Sequence, residues 1–165
     1  MVQLYLVRHA IAEERGPKWT DDTKRPLTKA GIKRMRTAAR GVSRLGITFD
    51  IVLTSPLVRA RQTADVLAAA FDVKPPIVIT HSLAPGSRFA DLLADIKKQP
   101  KRECIALVGH EPDLGVTASR LGGLKRPLEF KKGAVCRIDV DSIPPSGAGV
   151  LRWFATPALL RSIGR

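Results

Sequence analysis

Cysteine is nearly absent from the chain: only Cys104 and Cys136 occur, each inside an apolar, strand-like segment. Two isolated cysteines are too few for a disulfide framework or a zinc site, so two buried free thiols are expected. Aromatic residues make up only 5%, and no basic run is interleaved with them, which removes the stacking platform that single-stranded nucleic acid needs. Although 44% of the residues are hydrophobic, no apolar run approaches the roughly 18 residues of a membrane span. Acidic residues are scarce too. Against 28 lysines and arginines stand 15 aspartates and glutamates, a formal charge of +13. That excess favours acidic or phosphorylated partners without choosing among them. The first residues, Met1 to Val7, lack the basic lead and small-residue cleavage site of a secretory signal. The expectation is a cytoplasmic protein whose mature chain starts here.

What is present reads as one domain over residues 1–165, long enough for a single core, with no internal repeat and no linker. Val2, Leu4, Leu6 and Val7 around Tyr5 predict a first strand buried on both faces, as in a parallel sheet. Arg8 and His9 follow at its C-terminal end. The polar stretch Ala12 to Arg25, with Gly16-Pro17 and Asp21-Asp22, predicts a long surface excursion of the kind that often carries function. Thr28 is placed to cap a helix whose positions Ile32, Met35, Ala39 and Val42 keep helical spacing up to about Gly46. Lys33, Arg36, Arg40 and Arg44 share its other face and read most simply as solvated.

Asp50 to Thr54 predicts a second strand, and Ser55-Pro56 a capped helix start running to about Phe71, with Ala60, Ala64, Leu67 and Phe71 buried. Arg59, Arg61 and Thr63 fall off that stripe. Ile77 to Thr80 predicts a third strand, Phe89 to Ile96 a helix, and Cys104 to Val108 a fourth strand leading into Gly109-His110-Glu111-Pro112. A helix through Leu114, Ala118 and Leu121 follows, then strands over 134–140 and 150–155. Leu159, Leu160 and Ile163 predict a short closing helix packed on the sheet. Strands alternating with helices imply a three-layer α/β/α fold with a mostly parallel sheet, whose ligands bind beyond the carboxyl ends of the strands. Arg8-His9, Arg59 and His110 all fall there.

Leu6-Val7-Arg8-His9-Ala10 resembles the Arg-His-Gly signature of the histidine phosphatase superfamily. Ser55-Pro56-Leu57-Val58-Arg59-Ala60-Arg61-Gln62-Thr63-Ala64 is similar to its second motif, Val108-Gly109-His110-Glu111-Pro112 to its third, and Arg25-Pro26-Leu27-Thr28 to the element between them. Four elements in family order, each at a strand end or helix start, carry the resemblance. Within the family the chain looks like the short SixA-type phosphohistidine phosphatases, with alanine after His9. The resemblance implies a phosphoglycerate mutase-like fold and a metal-independent phosphatase without a cofactor. His9 is then the nucleophile, taking the phosphoryl group onto a neutral imidazole. Arg8 and Arg59 bind the equatorial oxygens, His110 donates a further hydrogen bond, and Arg25 is an additional phosphate ligand.

Larger phosphatases and mutases of the superfamily carry a carboxylate after the third strand to protonate the leaving oxygen. Here that stretch reads His81-Ser82-Leu83-Ala84-Pro85-Gly86, without an acid. Glu111 and Asp21 remain as other proton sources. An alkoxide leaves poorly without a proton, a loss of roughly 100- to 10,000-fold, whereas phosphohistidine releases an imidazole. The gap favours a phosphorylated protein bearing phosphohistidine over a small phosphorylated metabolite, and the basic helix face around Lys33 and Arg40 would dock an acidic partner. Nucleic acid is not the expected partner. The rival reading is a non-catalytic basic module on the same fold that binds a polyanion. His81 has no motif around it and reads as structural or solvated, and Arg61 reads as a surface residue.

Overall fold

The strands are β1 (Val2–Arg8), β2 (Ile51–Thr54), β3 (Ile77–Ile79), β4 (Cys104–Gly109), β5 (Val135–Val140) and β6 (Val150–Ala155). In the computed structural model, which describes residues 1–100 and 102–165, they form one sheet ordered β3-β2-β4-β1-β5-β6. β1 to β4 run parallel, while β5 lies antiparallel to both β1 and β6. The mostly parallel sheet expected from the sequence is present, with an antiparallel pair at one edge.

The helices are α1 (Lys29–Arg44), α2 (Val58–Ala68), α3 (Phe89–Lys97), α4 (Asp113–Gly122) and α5 (Pro157–Ile163). They divide between the two faces of the sheet. Met35, Ala39 and Val42 of α1, Ala60, Ala64 and Leu67 of α2 and Leu160 of α5 pack with Tyr5 and Val7. Leu92 and Ile96 of α3 and Leu114, Ala118 and Leu121 of α4 pack with Leu4 and Leu6 on the other. Successive side chains of a strand point to opposite faces, so the continuous apolar run of β1 fills both layers at once. Each large apolar side chain buried this way contributes roughly 1.5–3 kcal/mol. Among the described residues no helix is long and apolar enough to cross a membrane.

The order in which strands are laid down reverses at the boundary of the parallel neighbours β1 and β4. From β1 the chain crosses through α1 toward β2, and from β4 it crosses through α4, on the opposite face, toward β5. Diverging crossovers leave a crevice at the carboxyl ends of those two neighbours. His9 N–H donates to the Gly109 carbonyl across this boundary at 3.1 Å, which pins the ends of the two strands together.

The expected cap of α1 is present, whereas of the two thiols expected to be buried only Cys136 is. Thr28 caps α1, accepting Gly31 N–H at 2.8 Å. Gly123 closes α4 at φ +62, a left-handed conformation that glycine adopts without strain. Cys104 and Cys136 are free, the first half-buried and the second buried. The second helix departs from expectation: it starts at Val58 after Leu57 and ends at Ala68, and Ser55 is not its cap. The last helix lies on α1 rather than on the sheet. Leu160 is buried among the α1 side chains and Leu159 is half-exposed. A Cβ on Gly41 would collide with the Leu160 carbonyl, so the crossing depends on a residue without a side chain.

Candidate active site

His9 stands directly after β1 and is 94% buried, with 6% relative exposure. Its Nδ1 lies 2.7 Å from the Ala10 carbonyl. A carbonyl only accepts, so Nδ1 carries the proton and Nε2 keeps its lone pair. Burial, followed by the neighbouring His110, Arg59 and Arg8, lowers the His9 pKa to about 3 against the favourable Ala10 bond. Near neutral pH the ring is therefore uncharged.

His110 follows β4, is buried, and faces His9 with ring centroids 5.1 Å apart. Its Nε2 lies 2.8 Å from the Ser55 hydroxyl, while Nδ1 is buried without a partner. Burial, then the Arg59 charge, depresses its pKa to about 4. The hydroxyl expected to cap α2 is thus spent on an imidazole. Pro56 and Leu57 intervene before the helix begins.

Arg59 occupies the first turn of α2 and is 3% exposed, although its spacing put it off the buried stripe. Thr63, one turn on, is fully buried; its Oγ1 donates to the Arg59 carbonyl at 2.7 Å and accepts Ala10 N–H at 3.0 Å. Gln62 accepts Leu27 N–H at 2.7 Å. Residues three and four apart on a helix share a face, so Arg59, Gln62 and Thr63 look toward the site and anchor the chain after His9 and the Pro-Leu-Thr element. Arg61 points away and pairs with Asp65 at 3.5 Å.

Arg8 is half-buried; one terminal nitrogen donates to the Phe130 carbonyl at 2.5 Å and its Nε is buried without a partner. Arg25 is buried and donates to the Glu13 carbonyl at 2.6 Å and to the Asp22 carboxylate at 2.9 Å. Asp22 also receives Arg59, through Oδ2 at 3.0 Å and its own carbonyl at 2.8 Å. The five residues picked from the sequence therefore fall into two groups that share Arg59. His9 and His110 face each other within the fields of Arg8 and Arg59, and Arg25 joins Arg59 through Asp22.

Beside His110 opens a cleft of about 440 Å³ whose wall includes Ser82, Leu83, Phe89, Asp113 and Arg120. His9, Arg8, Arg59 and Arg25 are not part of that wall. Asp113 reaches the loop that lacks an acid in sequence and accepts Gly86 N–H at 2.8 Å. Glu111 is half-buried, takes Gly115 N–H at 2.9 Å, and is pushed above its ordinary pKa by burial. Asp21 is exposed and holds Thr23, whose bonds lower its pKa, so it is a poor proton donor. His81 is exposed.

Sequence reasoning passed over Asp22, Ser55 and Thr63 as site residues. Asp22 had one visible signal, a carboxylate three residues before the arginine of the Pro-Leu-Thr element. Nothing in the linear pattern of Ser55 or Thr63 distinguishes a hydroxyl turned inward from one turned out.

Buried arginine and imidazole nitrogens without protein partners gather at the switch point of a mostly parallel sheet, an arrangement of an α/β protein chemically suited to an oxyanion. Residues 4–84 match the model of the histidine phosphatase superfamily, branch 1. An uncharacterized protein of Picosynechococcus sp. is 38% identical over 139 residues, covering 81% of this chain and 82% of its own. The phosphohistidine phosphatase SixA of Escherichia coli is 23% identical over 162 residues, covering 97% of each chain. The structure of the protein histidine phosphatase SixA complexed with tungstate superposes with a TM-score of 0.84 at 23% identity, over 95% of this chain and 98% of that one. The chain belongs to the histidine phosphatase superfamily, has its phosphoglycerate mutase-like fold, and is of the phosphatase class.

Proposed function

We propose that the protein is a metal-independent phosphatase acting on phosphohistidine in an acidic partner protein, with His9 as the nucleophile. The observation that carries this reading is the state of His9: buried, neutral, and held by Ala10 with Nε2 bare. The Nε2 lone pair attacks phosphorus in line, the P–Nε2 bond forming as the bond to the leaving group breaks. The ring becomes cationic as it does so. Its Nδ1–H then makes a stronger bond to the Ala10 carbonyl. Water attacks the phosphorylated His9 in the second half and releases phosphate.

Arg8 and Arg59 take the equatorial oxygens. Each has a buried Nε–H without a protein partner, and such donors are costly unless a ligand completes them. His110 presents Nδ1, also buried and unpaired, and donates from it in the tautomer whose Nε2 accepts the Ser55 hydroxyl proton. Arg25 adds positive charge at the Arg59 side through their shared Asp22. Fixed cations and an imidazole donor supply the charge stabilisation that phosphoryl transfer needs.

Two features support phosphohistidine in a protein. Residues 81–86 bring no carboxylate to the leaving group, and imidazole leaves without the strong acid an alkoxide requires. A basic face is also available for an acidic partner: Lys29, Lys33, Arg34, Arg36, Arg40 and Arg44 of α1 lie with no acid in that helix. None of them is ion-paired with a carboxylate among the described residues. Arg34, with Arg161 of α5, also borders the groove that reaches Ala10, so the face is continuous with the chain just after the nucleophile.

The test is hydrolysis of a phosphohistidine peptide and of an aryl phosphate in the presence of a chelator, comparing wild type with His9→Ala. Turnover abolished in the variant, with the peptide preferred by wild type, is expected. Wild-type protein inert toward both, yet binding nucleic acid with steep salt dependence, would establish the polyanion-binding module instead.

A further inference from the structure

We infer that Asp22 is a positioning residue of the phosphoryl site, locking Arg59 and Arg25 together so that the guanidinium edge it leaves open is the one presented to phosphate. This inference rests on the phosphatase reading above. The guanidinium group has five N–H donors in one plane. Asp22 occupies one on each terminal nitrogen of Arg59, through its carbonyl at 2.8 Å and Oδ2 at 3.0 Å. What remains is a second two-pronged edge, formed by Nε–H and the adjacent terminal N–H. That Nε is buried and has no partner.

The other carboxylate oxygen, Oδ1, accepts Arg25 Nε at 2.9 Å. One oxygen per arginine sets the separation of the two guanidinium groups. Arg25 is itself fixed by the Glu13 carbonyl, and Arg59 by its burial under the loop. Arg15 also reaches Oδ1, at 3.3 Å, but its side chain is 78% exposed and adds only a loose outer contact. Asp21 caps the short turn that carries Asp22, accepting Thr23 N–H at 3.0 Å, so the carboxylate is delivered by an ordered segment of the long excursion. The Arg59 charge acts on both His9 and His110, which places the clamped guanidinium at the reacting centre.

The competing reading is that the carboxylate merely occupies the phosphate's place and must be displaced. The two differ in sign. A clamp holds contacts that matter most in the transition state, so its loss lowers kcat and kcat/KM together with KM nearly unchanged. A plug competes with the substrate, so its loss tightens phosphate binding and leaves kcat intact.

The experiment measures kcat and KM with an aryl phosphate, and inhibition by inorganic phosphate, for wild type, Asp22→Ala, Asp22→Asn and His9→Ala. Asp22→Ala is expected to lower kcat by about 10- to 100-fold, the scale of a misplaced catalytic group. Asp22→Asn keeps the shape but turns an NH₂ toward one arginine, and is expected to recover only part of the loss. A kcat within about twofold of wild type in both variants, or tighter phosphate inhibition with kcat retained, overturns the inference. If His9→Ala retains turnover, the phosphatase reading itself falls, and the two failures are thereby told apart. Urea midpoints of the variants separate lost positioning from lost folding.

Discussion

The Ser55 hydroxyl lies 2.8 Å from Nε2 of His110, and the same oxygen lies 3.3 Å from the Leu57 N–H that donates to it. The hydroxyl already accepts Leu57 N–H, and among the described residues Nε2 is the one acceptor its own proton has; giving that proton to Nε2 leaves the His110 proton on the unpaired Nδ1. Ser55→Ala removes that control and is expected to reduce kcat about tenfold, less than the roughly 100-fold or more for His110→Ala, which deletes the donor outright. Steady-state kinetics of the two variants checks the order. A Ser55→Ala enzyme equal to wild type beside an impaired His110→Ala would mean that the tautomer is set elsewhere.

Stability should fall on acidification through the two buried imidazoles. Both folded pKa values, about 3 for His9 and about 4 for His110, lie below the ordinary 6.5. Between those limits the unfolded chain binds more protons, so stability is fully present above about pH 6.5 and declines toward pH 4. Urea unfolding at pH 7 and pH 4.5 should show a larger loss for wild type than for the His9→Asn, His110→Asn double variant. Equal losses would assign the acid sensitivity to carboxylates such as Asp22 and Asp139.

The α1 face gives a salt-dependent prediction. Lys33→Glu with Arg40→Glu should lower kcat/KM for a glutamate-flanked phosphohistidine peptide by about tenfold at low salt, with the gap closing as the screening length shrinks below about 8 Å. Turnover of an aryl phosphate should not change, because neither residue is in the site. A peptide rate unaffected by the reversal would remove the docking role from this face.

The crossing of α1 with α5 is expected to be intolerant of side chains. Gly41→Ala puts a Cβ into the Leu160 carbonyl, and overpacking of this kind costs about 1–3 kcal/mol. The urea midpoint reports it, while the catalytic constants of the folded fraction should stay near wild type. An unchanged midpoint would show that α5 can shift away without cost.

The strands, the α1 cap and the cluster of Arg8, His9, Arg59 and His110 at strand ends were legible because they rest on short-range rules: apolar runs, a capping hydroxyl, residues that follow a strand. Ser55 was misread for the same reason. Its hydroxyl met the local pattern of a cap, but a histidine 55 residues away along the chain offered the better partner. Arg59 was placed off the buried stripe because periodicity counts apolar residues, whereas its burial comes from the 12–25 excursion folding over it and bringing Asp22. The closing helix was read, but not the surface it chose. Gly41 sits 119 positions before Leu160, and no local pattern encodes that close approach.

The sequence by itself determined the alternation of strands and helices, the family and the placing of Arg8, His9, Arg59 and His110 at strand ends and helix starts, since each follows from periodicity, turn chemistry or motif order within a few residues. Only the tertiary structure decided how those residues are wired. The Ala10 bond that bares Nε2, the Ser55–His110 pair and the Asp22 clamp all depend on directions of side chains brought together where β1 and β4 lie side by side and the 12–25 excursion folds back over them. Hydrogen bonds fix protons and orientations only when both partners are in place, and that pairing is a property of the folded chain.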